Sequence, residues 1–264
     1  MSTLTARRDT VLPACAAAIA GLLSLILLWR VALQSGRGQD WDDSAMRTVV
    51  AGGDAQHTLL SVLGNVSIGA IVVVAVGCVV VAMMRGQARL ALAAGLIIAG
   101  ANLTTQLLKH SLLDRPDFGL GTLNSLPSGH TTVVASAAGA VLLVAPIGLR
   151  PLIAAAGGFA TTLTGASTIV AGWHRPADVI AALAVCLLWT GLVAVLIHGP
   201  RRRATDTFLS TVLGCGAALA VLVVIGVRPA YGWVGFTQAS LVLGAVTAIT
   251  ALFVVAAAAV APAD

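Results

Sequence analysis

Residues 177–198 read ADVIAALAVCLLWTGLVAVLIH, an apolar run with one charged side chain, Asp178, near its start. An α-helix needs about 20 apolar residues to cross the hydrocarbon core of a bilayer, so this stretch predicts a transmembrane helix. In the whole chain of 264 residues, 58% are hydrophobic and 9% are charged. Because soluble domains carry roughly 25% charged residues, the composition excludes a cytosolic enzyme and a nucleic-acid-binding domain, despite the net charge of +5.

Apolar runs of similar length recur along the chain and predict an all-α, polytopic membrane helix bundle. The eight predicted spans cover residues 11–34, 58–84, 89–109, 129–148, 151–171, 177–198, 207–227 and 236–260. Their many Ala, Gly and Ser residues suit the close packing of helices in lipid. Between the first two spans, residues 40–56 predict a short helix at the membrane interface, acting as a connector or as a lid over a lipid site.

The charges of the loops predict the topology, because cytoplasmic loops carry an excess of Lys and Arg. One set of span ends is almost purely basic and holds Arg7, Arg8, Arg85, Arg89, Arg150 and Arg201 to Arg203. The opposite set mixes Lys and Arg with Asp. We therefore expect both termini in the cytoplasm and the mixed set on the extracytoplasmic side of the inner (plasma) membrane.

Three polar clusters lie at span ends on the predicted extracytoplasmic side. They read KHSLLDRP over residues 109–116, LPSGH over 126–130, and ST followed by WHRPAD over 167–168 and 173–178. Ionisable residues at membrane depth are costly and usually mark a functional site. Their convergence from three hairpins predicts one site on this face.

The first two clusters have the chemistry of a phosphate-binding site. Lys109 and Arg115 can neutralise a dianion. Ser128 and Gly129 lie at the start of the span predicted over 129–148, and a helix N-terminus presents backbone N–H groups to anions. His130 follows in the first turn, where a proton donor to a leaving oxygen belongs.

The third cluster has the pattern of a histidine nucleophile with its orienting carboxylate. Pro176 is a favoured first residue of a helix, and His174 and Asp178 lie four residues apart around it. Asp178 can then hold one ring nitrogen of His174 and leave the other nucleophilic. A metal site built from His130, His174 and Asp178 is disfavoured, because the nearby Lys109 and Arg115 repel a cation and attract an anion.

These residues resemble the type 2 phosphatidic acid phosphatase family of integral membrane lipid phosphatases. The three motifs of that family are K-x6-RP, PSGH and SR-x5-H-x3-D. The second is complete at residues 127–130, and the third keeps Ser167, His174 and Asp178 at the family spacing. Two positions depart from the pattern: five residues instead of six separate Lys109 from Arg115, and Thr168 stands in place of Arg.

The resemblance implies a role for each matching residue. His174 attacks phosphorus to form a phosphohistidine, Asp178 holds its ring, and His130 protonates the departing oxygen. Lys109, Arg115, Ser128 and the Gly129 backbone cradle the phosphoryl oxygens. The Thr168 hydroxyl and the Arg175 charge are candidates to replace the missing Arg. No metal or other cofactor is implied.

The sequence therefore predicts a metal-independent phosphatase acting on a lipid phosphomonoester or pyrophosphate at the extracytoplasmic face. Candidate substrates are polyprenyl phosphates and pyrophosphates, phosphatidic acid and phosphatidylglycerol phosphate. A lipid phosphotransferase and a non-catalytic lipid-phosphate-binding, transport or assembly protein are the alternatives. Residues 1–198 form the predicted phosphatase core, and 199–264 comprise a cytoplasmic basic loop and two additional transmembrane helices.

Overall fold

A computed structural model describes residues 3–64, 68–197 and 205–262 of the chain. The helices are α1 (Thr3–Leu28), α2 (Gly36–Met46), α3 (Gly53–Gly64), α4 (Ile68–Met84), α5 (Ala88–Leu107), α6 (Gly129–Val144), α7 (Arg150–Val170), α8 (Pro176–Leu196), α9 (Thr205–Ile225) and α10 (Phe236–Val260). Two three-residue strands, β1 (Val49–Ala51) and β2 (Val227–Pro229), pair antiparallel with Val50 opposite Arg228. The all-α prediction is confirmed, with this small sheet as an addition.

Within the described ranges, six helical segments are long and apolar enough to cross a membrane, which confirms a polytopic helical bundle. They are Val11–Leu33, Ala88–Leu112, Ile147–Val170, Pro176–Leu196, Thr207–Ile225 and Phe236–Val260. The apolar helices α4 and α6 have 17 and 16 residues, and at 1.5 Å per residue they measure roughly 25 Å against a hydrocarbon core of about 30 Å. The count of eight spans therefore stays a prediction.

The structure corrects the region between the first and third predicted spans. The span predicted over 58–84 covers part of α3 and all of α4, and residues 65–67 between them lie outside the described residues. Helix α3 begins before the predicted span, with the exposed polar residues Asp54, Gln56 and His57. The helix predicted over 40–56 is α2, which starts earlier because the Ser35 hydroxyl accepts a hydrogen bond from Gly38 N–H. Residues 49–51 form β1 instead of helix. The basic stretch at 201–203 lies outside the described residues.

Small residues bring the long helices into close contact, as the composition predicts. A Cβ atom added at Gly21 of α1 would lie 2.6 Å from the carbonyl oxygen of Ala184 in α8. One added at Gly214 of α9 would lie 2.0 Å from the carbonyl oxygen of Ala155 in α7. Helix α10 packs against α7 and α8, so the last two helices join the same bundle as the motif-bearing ones.

The order of the helices places the three motifs at one end of the bundle. The first motif follows α5, the second begins α6, and the third connects the end of α7 to the start of α8. Helix α6 packs against α5, α7 and α8. This arrangement positions the predicted site.

Candidate active site

The third motif forms a buried His–Asp pair at the start of α8. His174 Nδ1 lies 3.3 Å from Asp178 Oδ2, and the two residues are 6% and 1% exposed. The Arg175 backbone N–H donates to the same carboxylate oxygen at 2.9 Å. This contact at Nδ1 leaves the His174 Nε2 atom available for chemistry.

The second motif caps α6 and is tied to the third. The buried Ser128 hydroxyl accepts hydrogen bonds from the N–H and the hydroxyl of Thr131. The Ser128 N–H donates to the backbone carbonyl of Asp178 at 2.9 Å. The N–H groups of Gly129 and His130 have no partner within the helix, and the space where a Gly129 Cβ would project is open. An anion can approach this helix end closely.

A cavity of about 720 Å³ brings the first and third motifs together. Lys109, Arg115 and His174 line it, with Asn124 and Trp173 among the other lining residues. Lys109 belongs to a π-helical turn, Leu108–Leu112, and such turns are frequent at functional sites. The spacing of five residues therefore still brings Lys109 and Arg115 to the same cavity.

Arg115 is a buried cation without a hydrogen-bond partner on two of its nitrogen atoms. The residue is 6% exposed, and neither Nε nor Nη2 is hydrogen-bonded within the described part of the chain. Burial, followed by the nearby charge of Arg175, lowers the pKa of Arg115 below its ordinary value, but a guanidinium remains protonated in proteins. An unpaired buried charge is costly, so this geometry favours an anion in the cavity.

His130 lies at the edge of this arrangement. Its ring centroid is 5.5 Å from that of Trp173, with the ring planes tilted by 41°. Among the described residues, neither His130 nor the Ser128–Gly129 cap lines the cavity itself. The structure thus brings His130 beside a cavity residue and not into direct contact with the cavity.

The structure does not bring Thr168 or Arg175 to the cavity. Thr168 is fully buried, and its hydroxyl donates to the Gly165 carbonyl at 2.7 Å. Its own carbonyl accepts hydrogen bonds from the N–H groups of Trp173 and His174, so it shapes the turn that carries His174. Arg175 is directed to Asp43, with Nη2 to Oδ1 at 3.1 Å.

Sequence reasoning missed the acidic pair on α2. Asp43 binds Arg175, and Asp42 accepts the Ala177 N–H at the start of α8 at 2.9 Å. Burial raises the pKa of Asp42 to about 7, and the nearby charge of Asp178 also raises it. The hydrogen bond from Ala177 and the charges of Arg175 and Arg115 lower this pKa but do not outweigh burial. Burial alone raises the pKa of Asp43, but hydrogen bonds from Arg47 and Arg175 outweigh it and leave that pKa below its ordinary value.

Two glutamines, one just before α2 and one within it, extend this contact to the first motif. Gln34 Nε2 donates to the Asp114 carbonyl at 2.9 Å, and the fully buried Gln39 donates to the Pro116 carbonyl at 3.0 Å. These bonds flank Arg115 on both sides. The run DWDDS at 40–44, acidic beside an apolar span, was the one sequence signal for this role.

The arrangement of possible metal ligands and the comparison with known protein families both indicate what type of site this is. Within the described residues, no group of three or more His, Cys, Asp or Glu side chains is arranged to hold a metal ion. Comparison with curated proteins and with solved structures found no significant match to either. Residues 90–202, which contain all three motifs, match the model of the PAP2 superfamily. This match supports a type 2 phosphatidic acid phosphatase-like family for this chain, as its motifs predict.

Proposed function

We propose that this protein is a membrane lipid phosphatase that hydrolyses a lipid phosphomonoester or pyrophosphate at the extracytoplasmic face. One observation carries the proposal: the unpaired guanidinium of Arg115 and the amine-bearing Lys109 line the same cavity as His174, whose Nδ1 contacts Asp178. Two cations next to a nucleophile suit a phosphoryl group, because they stabilise the charge that spreads over its oxygens in the transition state.

The reaction proceeds in two steps. His174 Nε2 attacks phosphorus and the bond to the lipid or phosphate leaving oxygen breaks, while His130 gives that oxygen a proton. Asp178 stabilises the positive ring through Nδ1. Water, losing a proton to His130, then attacks the phosphohistidine, and the P–N bond breaks to release inorganic phosphate.

Phosphate binding falls to two groups of residues. Lys109 and Arg115, which line the cavity, contact the phosphoryl oxygens directly. The open backbone end at Gly129 lies outside the cavity lining and adds N–H donors from the side of His130. Ser128, Thr168 and Arg175 hold those groups in place, because their side chains are engaged with Thr131, Gly165 and Asp43. With Thr168 in place of the motif Arg, Lys109 and Arg115 supply the positive charge of the site, and Arg115 has no partner at Nε and Nη2 among the described residues.

The decisive experiment is phosphate release by the purified protein in detergent with EDTA present. The panel contains farnesyl phosphate, farnesyl pyrophosphate, phosphatidic acid and phosphatidylglycerol phosphate. We expect release from at least one substrate in EDTA, and an acid-labile, base-stable phosphoprotein after rapid quenching. Loss of turnover in chelator, restored by one specific divalent ion, would contradict the metal-free mechanism.

The side of the membrane has its own test. In a background with Cys15 replaced by Ser, single cysteines are introduced at Thr122, in the loop beside the cavity, and at Gly148, between α6 and α7. Both positions are exposed, and the three remaining native cysteines are buried. An impermeant thiol reagent should label Thr122→Cys in intact cells and label Gly148→Cys only after lysis. The reverse pattern would overturn the extracytoplasmic site.

A further inference from the structure

We propose that an apolar groove between α4, α6 and α7 binds one hydrocarbon chain of the lipid substrate. The inference rests on the proposed function and specifies how its site selects a lipid. The groove comprises two adjoining cavities of about 400 and 310 Å³, which share Val74, Val141 and Ile153 as lining residues.

The groove has the chemistry of a hydrocarbon-binding site. The larger cavity is lined, among the described residues, only by Ala, Gly, Val and Ile. In membranes, small residues on a helix usually let a neighbouring backbone approach. Here Ala70, Ala137 and Ala156 line open space instead, so their small side chains leave room for a chain that is not part of the bundle.

The groove lies on the face of α6 that also carries His130. His130, Val134, Ala137 and Val141 are spaced i, i+4, i+7 and i+11, which places them on one face of the helix. The last three line the groove. The groove therefore begins about one turn below the proposed proton donor, on the side of α6 that carries it. The other wall, α7, leads up to the turn that holds His174.

The groove is somewhat longer than one leaflet, because its smaller cavity reaches Pro146 and Leu149 at the connection between α6 and α7. From Val133 to Val144 of α6, eleven residue steps of 1.5 Å give roughly 17 Å, and half of a hydrocarbon core is about 15 Å. A lipid of the outer leaflet whose phosphate lies at the cavity would extend its chain down this groove. The position of the groove next to His130 favours the substrate lipid over ordinary bilayer lipid or a second copy of this protein, because only the substrate binds its phosphate at the active site.

Photolabelling tests the location of the chain without depending on turnover. The probe is lysophosphatidic acid whose palmitoyl chain carries a diazirine at its end, reconstituted with the protein in phosphatidylcholine vesicles. We expect labelled peptides from α4, α6 and α7, reduced by excess unlabelled palmitoyl lysophosphatidic acid. Uniform labelling of all lipid-facing helices would show bilayer lipid only and overturn the inference, as would a crosslinked dimer that excludes the probe.

Substitutions that fill the groove test whether it selects the chain. Ala137→Phe and Ala156→Phe should lower kcat/KM about tenfold more for palmitoyl than for butanoyl lysophosphatidic acid, the effect of losing about two methylene contacts. The matched control is Ala217→Phe, at an exposed position on α9 outside the groove, which should leave this ratio at the wild-type value. An unchanged ratio in the groove variants contradicts the inference, whereas no phosphate release by the wild type from these two substrates or from any lipid of the phosphatase panel contradicts the proposed function.

Discussion

The two arginines beside the candidate nucleophile differ in what their guanidinium groups contact. Arg175, next to His174, is paired with Asp43 of α2 at 3.1 Å. Arg115, in the loop after α5, is more deeply buried and lacks a partner at Nε and Nη2 among the described residues. The guanidinium of Arg175 is bound by another part of the protein, whereas that of Arg115 still has hydrogen-bond donors available for a ligand.

This difference separates a structural cation from a binding cation. A paired arginine stabilises the fold and has less attraction left for a ligand, because its charge is already balanced. An unpaired arginine destabilises the folded protein, and binding of an anion offsets this cost by forming charge-assisted hydrogen bonds. We therefore expect changes at Arg175 to act mainly on stability and changes at Arg115 mainly on activity.

The largest effect should come from the nucleophile carried by the Arg175 loop. His174→Ala should lower phosphate release by at least about a thousandfold, because no other group can form the covalent intermediate. Asp178→Asn should cost less, since it disturbs only ring orientation and charge stabilisation. Phosphate release, with the unfolding temperature in detergent as control, measures both. Substantial turnover by His174→Ala would exclude it as the nucleophile.

Arg115 should give the next largest effect. Arg115→Gln should lower kcat/KM about 100-fold to 1,000-fold, the usual cost of removing one donor to a transition-state anion, and Arg115→Lys should recover part of it. Its unfolding temperature should not fall, because an unpaired charge is removed. Inorganic phosphate should stabilise the wild type by mass action and stabilise Arg115→Gln less. A strongly destabilised Arg115→Gln would mean that the guanidinium has a structural role after all.

The pair of Arg175 and Asp43 should behave in the opposite way. Asp43→Asn should lower the free energy of unfolding by about 2 kcal/mol, because it leaves the largely buried Arg175 without its carboxylate. Arg175→Gln should cost less, because Asp43 keeps its contact with Arg47. The double variant should lose much less than the sum of the two, since neither charge then remains. A double-mutant cycle in detergent measures this coupling. Additive losses would show that the two side chains act independently.

The fold was largely predictable from the sequence where helices are long and uniformly apolar. Spans such as 177–198 and 236–260 need only length and hydropathy to be recognised, and they agree with α8 and α10 within a few residues. The structure of residues 36–64 was less predictable from the sequence, because α2, β1 and α3 are short and depend on tertiary contacts. The strand β1, for example, pairs with β2 from almost 180 residues later.

The site was predictable only where local spacing determines geometry. The i, i+4 spacing of His174 and Asp178 predicts their contact, because both residues lie at the start of the same helix. The pairing of Arg175 with Asp43 joins residues 132 positions apart, and no periodicity within one element signals it. For the same reason, the sequence indicates Arg175 as a candidate phosphate ligand but does not indicate its contact with Asp43 of α2.

The smallest effect should come from Asp42, the half-buried neighbour of this pair. Its pKa is raised from the ordinary 3.8 to about 7, so the folded protein binds this proton more tightly than the unfolded chain. The stabilisation is complete below the unfolded pKa and is lost as the pH rises through about 7. From about pH 6 to about pH 8, this group should lower the free energy of unfolding by about 1 kcal/mol. Asp42→Asn should remove that loss, because its amide oxygen still accepts the Ala177 N–H but does not titrate. Unfolding in detergent across this pH range measures it, with Asp40→Asn, exposed on the same helix, as the matched control. If Asp42→Asn kept the wild-type pH dependence and Asp40→Asn changed it, the contact between α2 and the start of α8 would not involve a protonated Asp42.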